Sequence, residues 1–419
     1  MLRRIACLRR LWAAVLTIVV LVGCAQSGDT LSPIERLRAE AEKSPNSINP
    51  WLRLGEAHLQ IARATNDLHQ TSLAESAIVH ALGIDSTRFE GLMQLSQIKT
   101  LQHRFRDVTR TQHKAIVQNL RSSDAWAILG DAFMALGKYR AADSCYHIMW
   151  ELDAEFEARV RIANRELWFG EREKAINEQQ IAVQDGTNSG VSSRRLADAH
   201  AKLAEIFLLY GEAAPARAHI EDALLLDDAH LYALELRSRM SAYDGDWKGA
   251  IKTAEVLTRL SNHPRYELVL ARAYRGANDR ARERDHVERA QVGFEKLMSD
   301  FPEATVRERI AMYLEWGLGN EEALKMAYQE SRSRRDAGAY ELLAWAYYAN
   351  GKYDMAWSSI SLALRKDVRH PRTIHRAAVI AKAARKTDRF EKYATWAREL
   401  NPDIEKLFGP LEREANDKP

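Results

Sequence analysis

From about residue 34 onward, short apolar clusters alternate with charged positions at a helical beat. Apolar residues recur at i, i+3, i+4 and i+7, the period that one face of an α-helix requires. Glycine interrupts these runs at regular places. Gly137, Gly170, Gly211, Gly245 and Gly351 each precede an alanine by five residues, namely Ala142, Ala175, Ala216, Ala250 and Ala356. Twelve residues before these alanines and before Ala323 sits another small residue: Gly130, Ala163, Ala204, Ser238, Ala344 and Ala311. Ala142 and Ala175 are 33 apart, Ala216 and Ala250 are 34, and Ala323 and Ala356 are 33. The pattern predicts a helix, a left-handed glycine turn and a second helix, with small residues where the two axes cross. Leu129, Phe207 and Tyr347 are the large residues that fill the space left between them.

Proline gives an independent reading. None occurs from 51 to 214, and Pro215, Pro264, Pro302, Pro371 and Pro402 fall at predicted helix starts or inter-repeat turns. Proline inside a helix costs about 3 kcal/mol, so an all-helical chain must confine it this way. The one loop-like stretch runs from Gly186 to Ser193 and lengthens the spacing from Ala175 to Ala216 to 41. It predicts a mobile linker over 187–194, between an N-terminal block at 34–186 and a C-terminal block at 195–402.

Trp126, Leu129, Gly130, Phe133, Ala142, Tyr146 and Met149 together resemble the tetratricopeptide repeat. Tyr340, Leu343, Ala344, Tyr347, Ala356, Ile360 and Ala363 repeat the pattern, as do Trp51, Leu54, Gly55, Ala74, Ile78, Ala81 and Leu82. About ten units cover roughly 50–402, residues 34–44 add a lone second helix, and 403–419 form a cap and tail with Ile404, Leu407 and Leu411. Some units depart from the pattern. The second has no turn glycine, the sixth carries Arg237 where leucine is usual, the seventh has extra residues near Asn278–Arg284, and the tenth has Phe390 for the tight alanine.

The resemblance implies an all-α, right-handed α-solenoid whose concave groove, lined by first helices, binds proteins or peptides. Carried onto this chain, its groove positions include Asp131, Met134, Asn164, Arg272, Met312, Glu341, Trp345 and Tyr348. Trp345 and Tyr348 either anchor a partner or pack against the next repeat. The Lys and Asn set with which some members clamp a peptide's C-terminal carboxylate is absent.

The N-terminus carries a different signal. Residues 1–10 are basic and 11–22 are apolar but for Thr17. Twelve helical residues reach about 18 Å, short of a ~30 Å hydrocarbon core, so the segment reads as an export signal. It ends in Leu21-Val22-Gly23-Cys24, which resembles the lipobox of bacterial lipoproteins. The resemblance implies cleavage after Gly23, leaving 1–23 as signal peptide, lipid on Cys24 and a flexible tether over 24–33. With Ala25 next, it implies residence in the outer membrane facing the periplasm, if the organism has two membranes.

Charge sharpens this picture. The 419 residues hold 61 Lys+Arg and 58 Asp+Glu, a formal +3. Removing residues 1–23, with four arginines and no acid, leaves −1, so the body has no global pull towards nucleic acid. A local excess remains from 365 to 389, including Arg365, Lys366, Arg369, Arg372 and Arg376. It is either a solvated capping face or a dock for anionic glycan, wall polymer or lipid headgroups. After processing, Cys145 is alone and no internal disulfide can form.

Catalytic chemistry finds little support. No HExxH, GxSxG, P-loop or CxxC occurs, and no two of the 13 histidines lie three or four apart beside a carboxylate. Gly317-Leu318-Gly319 lacks the strand and third glycine of a phosphate loop. The expectation is therefore a non-enzymatic, lipid-anchored scaffold of the cell envelope, without metal or cofactor, that binds protein or peptide partners.

Overall fold

A computed structural model of the chain describes residues 32–412. Gly23 and Cys24 lie outside them. Among the described residues there are 22 helices, and none is long and apolar enough to cross a membrane. Helix α1 (Pro33–Lys43) has no antiparallel mate of its own and is followed by ten antiparallel pairs. The first five are α2 (Ile48–Thr65) with α3 (Leu68–Ile84), α4 (Phe89–Leu101) with α5 (Phe105–Gln118), α6 (Ser123–Ala135) with α7 (Tyr139–Glu151), α8 (Glu155–Phe169) with α9 (Arg172–Ser189), and α10 (Ser193–Leu209) with α11 (Ala213–Leu226). The second five are α12 (Leu231–Tyr243) with α13 (Trp247–Leu260), α14 (Arg265–Gly276) with α15 (Arg280–Asp300), α16 (Pro302–Trp316) with α17 (Asn320–Ser333), α18 (Ala337–Ala349) with α19 (Tyr353–Leu364), and α20 (Pro371–Ala383) with α21 (Thr387–Leu400). A short α22 (Ile404–Phe408) ends the fold.

The local reasons match the sequence pattern. Ser32 and Glu35 close a capping box on α1, while Asp67, Ser122, Asp246, Asp279 and Asp336 cap later helices through their side chains. Ala142, Ala175, Ala216, Ala250, Ala323 and Ala356 are fully buried. A Cβ on Gly130 would lie 2.5 Å from the Tyr146 ring, which is why this crossing takes a residue without one. Where turn glycine is missing, Asn66, His103, Asn278 and Arg385 take the left-handed conformation instead. The extra residues of the seventh pair sit in α15, which is 21 residues long, and not in its turn.

The expected mobile linker at 187–194 is not a loop. Helix α9 continues through Ser189, Gly190 caps it, and α10 begins at Ser193. The hydroxyls of Thr187 and Ser189 donate back to the carbonyls of Val183 and Asp185, one helical turn earlier. The Phe156 ring covers Gly186, and Gln179 Nε2 donates to the Ala199 carbonyl at 2.9 Å. Local polar composition points to a break, but the helix ladder and this packing absorb those groups.

The pairs stack into a solenoid whose coil returns onto itself. The turn inside each of the first five pairs meets the junction that follows the pair five places later. Ser261 Oγ donates to the Thr65 carbonyl, and Leu68 packs with Leu297, Phe301 and Ala304. His103 and Glu303 line one cleft, and Arg106 reaches the Ser333 carbonyl at 2.6 Å. Arg334 Nε donates to the Ala135 carbonyl at 3.2 Å, and the Ala337 amide to the Tyr139 hydroxyl at 3.0 Å. The Arg369 amide donates to the Trp168 carbonyl at 2.9 Å, and Asn401 Nδ2 to the Leu209 carbonyl at 3.1 Å. The C-terminal segment extends this seam. Tyr243 donates its hydroxyl to Asp403 at 2.7 Å, while Ile404 and Leu411 are buried against the last pairs. It therefore packs against the last pairs and is also tied to the sixth.

Close approach, as well as backbone dihedral, selects glycine here. At Gly137 (φ 70°) a Cβ would lie 2.7 Å from the Arg335 carbonyl oxygen. Gly351 (φ 69°) has the same backbone but open space around it. Alanine in a left-handed position costs about 1–2 kcal/mol. At Gly137 the clash with backbone should add a further ~1–3 kcal/mol. Urea denaturation of Gly137→Ala and Gly351→Ala should show the larger loss at Gly137; equal losses would mean that the coil-to-coil seam contributes nothing.

Candidate binding surface

The first helices present a row of charged side chains, and these pair from one repeat to the next. Asp131 on α6 receives Arg161 from α8 at 3.0 Å and also the Tyr146 hydroxyl at 3.0 Å. Arg265 on α14 reaches Glu235 on α12 at 2.8 Å and Glu308 on α16 at 3.3 Å. Arg272 on α14 holds Glu315 on α16 at 2.7 Å, and Arg307 on α16 holds Asp336, the cap of α18. Each exposed pair contributes little by itself, at most about 1 kcal/mol. Their common effect is to fix the register of neighbouring helices.

Glu341 on α18 differs because it is only 1% exposed. Arg372 and Arg376 on α20 both reach its Oε1 at 2.8 Å, and the Thr373 hydroxyl donates to Oε2 at 2.6 Å. Burial alone would raise its pKa from the ordinary 4.5. The two guanidinium groups and the hydroxyl outweigh that and hold it at about 2.

Around this anchor lies a cavity of about 420 Å³. Its walls are Arg272 and Arg275 from α14, Glu315 from α16, Leu342 and Trp345 from α18, and Arg372, His375 and Arg376 from α20. Leu407, Phe408 and Gly409 complete it from the C-terminal segment. Arg376 lies 4.9 Å over the Trp345 ring, Trp345 stacks on Tyr348 at 4.8 Å, and His375 Nε2 is 2.8 Å from the Gly409 carbonyl. Arg275 lies 4.5 Å over Trp316, whose indole donates to Glu283 at 3.1 Å. Guanidinium groups beside aromatic faces suit carboxylate-bearing or aromatic peptide side chains.

A second cavity of about 290 Å³ gathers Asp131, Met134 and Asn164 with Arg307, Arg334 and Asp336 of the returning coil. The groove positions carried over from the repeat pattern thus divide into three groups. Asp131, Met134 and Asn164 share this cavity, and Arg272 and Trp345 share the larger one. Met312 and Glu341 are not partner contacts: Met312 is fully buried in the core, and Glu341 is spent on its two arginines. Tyr348 is buried as well, between Trp345 and Tyr353, so it supports the wall from within the repeat packing.

The basic stretch does not form one surface. Arg372 and Arg376 turn inward to Glu341, Lys366 lies over the Tyr139 ring at the seam, and Arg369 donates to the Leu364 and Val368 carbonyls. Arg365 is exposed. The stretch divides because α20 directs i and i+4 to one wall while the preceding junction docks on α8. Arg372 and Arg376 are the wall residues that a reading of net charge misplaced. The available signal was charge complementarity at repeat spacing, since Glu341 precedes them by 31 and 35 residues.

Helix pairs, left-handed turns, small crossing residues and an inner wall of first helices define the described chain as an α-solenoid of tetratricopeptide-type repeats. Solved structures of similar fold include PilF of Pseudomonas aeruginosa, 16% identical, covering 53% of this chain and 97% of that one with a TM-score of 0.39. YrrB, described as a TPR protein with an unusual peptide-binding site, is 16% identical over 48% of this chain and 97% of its own, TM-score 0.30. Human IFIT1, solved as a dimer with PPP-AAAA, is 14% identical over 79% of this chain and 77% of its own, TM-score 0.47. At these identities the likeness is one of fold. No protein-family profile matches the chain, and no curated protein matches it.

Truncating Glu341 should be costly, because two arginines lose their buried partner. Glu341→Ala is expected to lose about 3–5 kcal/mol in chemical denaturation at neutral pH. The acid limb gives a separate check. A carboxyl held below its ordinary 4.5 contributes fully above that value and loses its contribution as pH falls towards about 2. Wild type should therefore lose stability across that window more steeply than Glu341→Gln; parallel curves would contradict the assignment.

Proposed function

We propose that this chain is a non-enzymatic scaffold that binds a protein or peptide on its inner wall while a lipid on Cys24 tethers it to the cell envelope. The observation that carries the binding half is the cavity where Arg272, Arg275, Arg372 and Arg376 converge around Trp345. It joins several first helices, so one extended segment can touch consecutive repeats at once. The four arginines are held in place by Glu283, Glu315 and Glu341, and guanidinium groups fixed beside an aromatic ring favour an acidic or C-terminal segment of the partner. The anchoring half rests on the twelve-residue apolar run and on Leu21-Val22-Gly23-Cys24. Two or more acyl chains give stable attachment where one is marginal. The short segment between Cys24 and the first helix, which starts at Pro33, then holds the solenoid close to the membrane. Assembly of an envelope complex is the role these properties serve.

Two experiments check the halves separately. Cys24→Ala should accumulate as an unprocessed precursor without lipid; maturation to normal size with retained membrane association would overturn the anchor. A photo-crosslinking residue placed at position 272, on the inner wall, should capture a partner in living cells. The same residue at position 174, exposed on the second helix α9, should not. Equal capture at both positions would contradict binding by the inner wall.

A further inference from the structure

The fifth helix pair brings together two histidines and a carboxylate that no pattern within a single helix reveals. His200 projects from α10, and His219 and Asp222 from α11. His219 and Asp222 are three apart and so share one helix face. The three side-chain atoms nearest each other are His200 Nδ1, His219 Nδ1 and Asp222 Oδ2. Nδ1 to Nδ1 is 3.1 Å, and each nitrogen lies 3.5 Å from the carboxylate oxygen.

At 3.1 Å one imidazole N–H can donate to the other ring nitrogen, so the placement of the carboxylate carries the argument for an ion. In a simple hydrogen-bonded cluster the carboxylate would take one N–H at about 2.7–3.2 Å. Here it stands 3.5 Å from both nitrogens, at the outer limit of a hydrogen bond to either. Tetrahedral ligands at roughly 2.0–2.2 Å from a zinc ion are separated from one another by roughly 3.3–3.6 Å. The observed triangle of 3.1, 3.5 and 3.5 Å thus leaves a point at bonding distance from all three atoms. The surroundings hold the imidazoles in place. His219 stacks on Phe207 with 4° between the ring planes, and His200 is only 9% exposed. The carboxylate side is open, with the Asp222 side chain 51% exposed, so an ion could enter and keep a water ligand.

We propose that His200, His219 and Asp222 form a site for a divalent transition-metal cation, zinc in the first instance. Two imidazoles and one carboxylate favour Zn²⁺ over Mg²⁺ or Ca²⁺, which call for more oxygen ligands. Three protein ligands leave the fourth position to water or to a donor from a partner. The ion bridges α10 to α11, the pair whose turn docks on Asn401. It would therefore stiffen the pair at one end of the seam between coils. The site is independent of the inner-wall reading and stands or falls without it.

The test uses the mature, purified chain after removal of metal with a chelator. Titration with Zn²⁺ alone should show saturable binding of one ion per chain, and Zn²⁺ should raise Tm where Mg²⁺ and Ca²⁺ do not. Co²⁺ as a probe should give the visible absorption bands of low-coordinate cobalt. Asp222→Asn removes an exposed ligand with little effect on folding and should weaken Zn²⁺ binding by about tenfold or more. His219→Asn should abolish the cobalt bands while circular dichroism remains that of wild type. Absence of saturable binding, or the same affinity and cobalt spectrum in Asp222→Asn and His219→Asn, would overturn the proposal.

Discussion

The structure depends on one contact repeated along its length, the docking of a tight intra-repeat turn on the junction five pairs further on. Gly137, Gly170 and Gly211 bring backbone within reach of Arg335, Arg369 and Asn401, distances at which a Cβ could not fit. Backbone and side-chain donors then meet the carbonyls that close α2, α6, α8 and α10. A solenoid held only by neighbouring repeats behaves as a nearly one-dimensional array. Contacts between coils add long-range terms, and these couple the first half of the chain to the second. The same contacts bring α6 and α8 against α16 and α18, which creates the smaller cavity, and carry the C-terminal segment from the tenth pair to the sixth.

The inner wall is the second consequence. First helices from successive pairs bring charges of opposite sign to the same height, and Arg–carboxylate pairs bridge α6 to α8, α8 to α10, and each step from α12 to α20. Most lie partly in water and serve geometry more than stability. Glu341 is the most deeply buried of these acids, so its two arginines are obligatory and their guanidinium groups become fixed walls of the larger cavity. The convergence of guanidinium groups there is a property of arrangement. A count of charges over 365–389 offers a solvated cap or a polyanion dock, whereas the fold turns Arg372 and Arg376 inward and docks Lys366 and Arg369 at the seam.

Much of this was legible in order of residues. Helix pairs, their number, the glycine turns, the buried alanines and the sites of proline all follow from contacts within about thirty-four residues. Such contacts leave a period in the chain because every repeat solves the same packing problem with residues of the same size. Even the charge ladder had a signature, opposite signs spaced by about one repeat. The run from Gly186 to Ser193 misled because Asn, Ser and Thr favour loops when nothing else acts. In the folded chain, hydroxyl bonds one turn back and the Phe156 ring over Gly186 retain the helix.

What the sequence by itself determined is the repeat: two helices, their turn and the small residues that let them cross. Only the tertiary structure decided which turns touch another coil, which groove positions are open and which are core, and where Arg372 and Arg376 point. It alone brought His200 within 3.1 Å of His219, nineteen residues away on the partner helix. Spacing along one helix records only what that helix does. Contacts between helices, and above all between coils five pairs apart, depend on the accumulated rotation of every repeat between them, which no local period encodes.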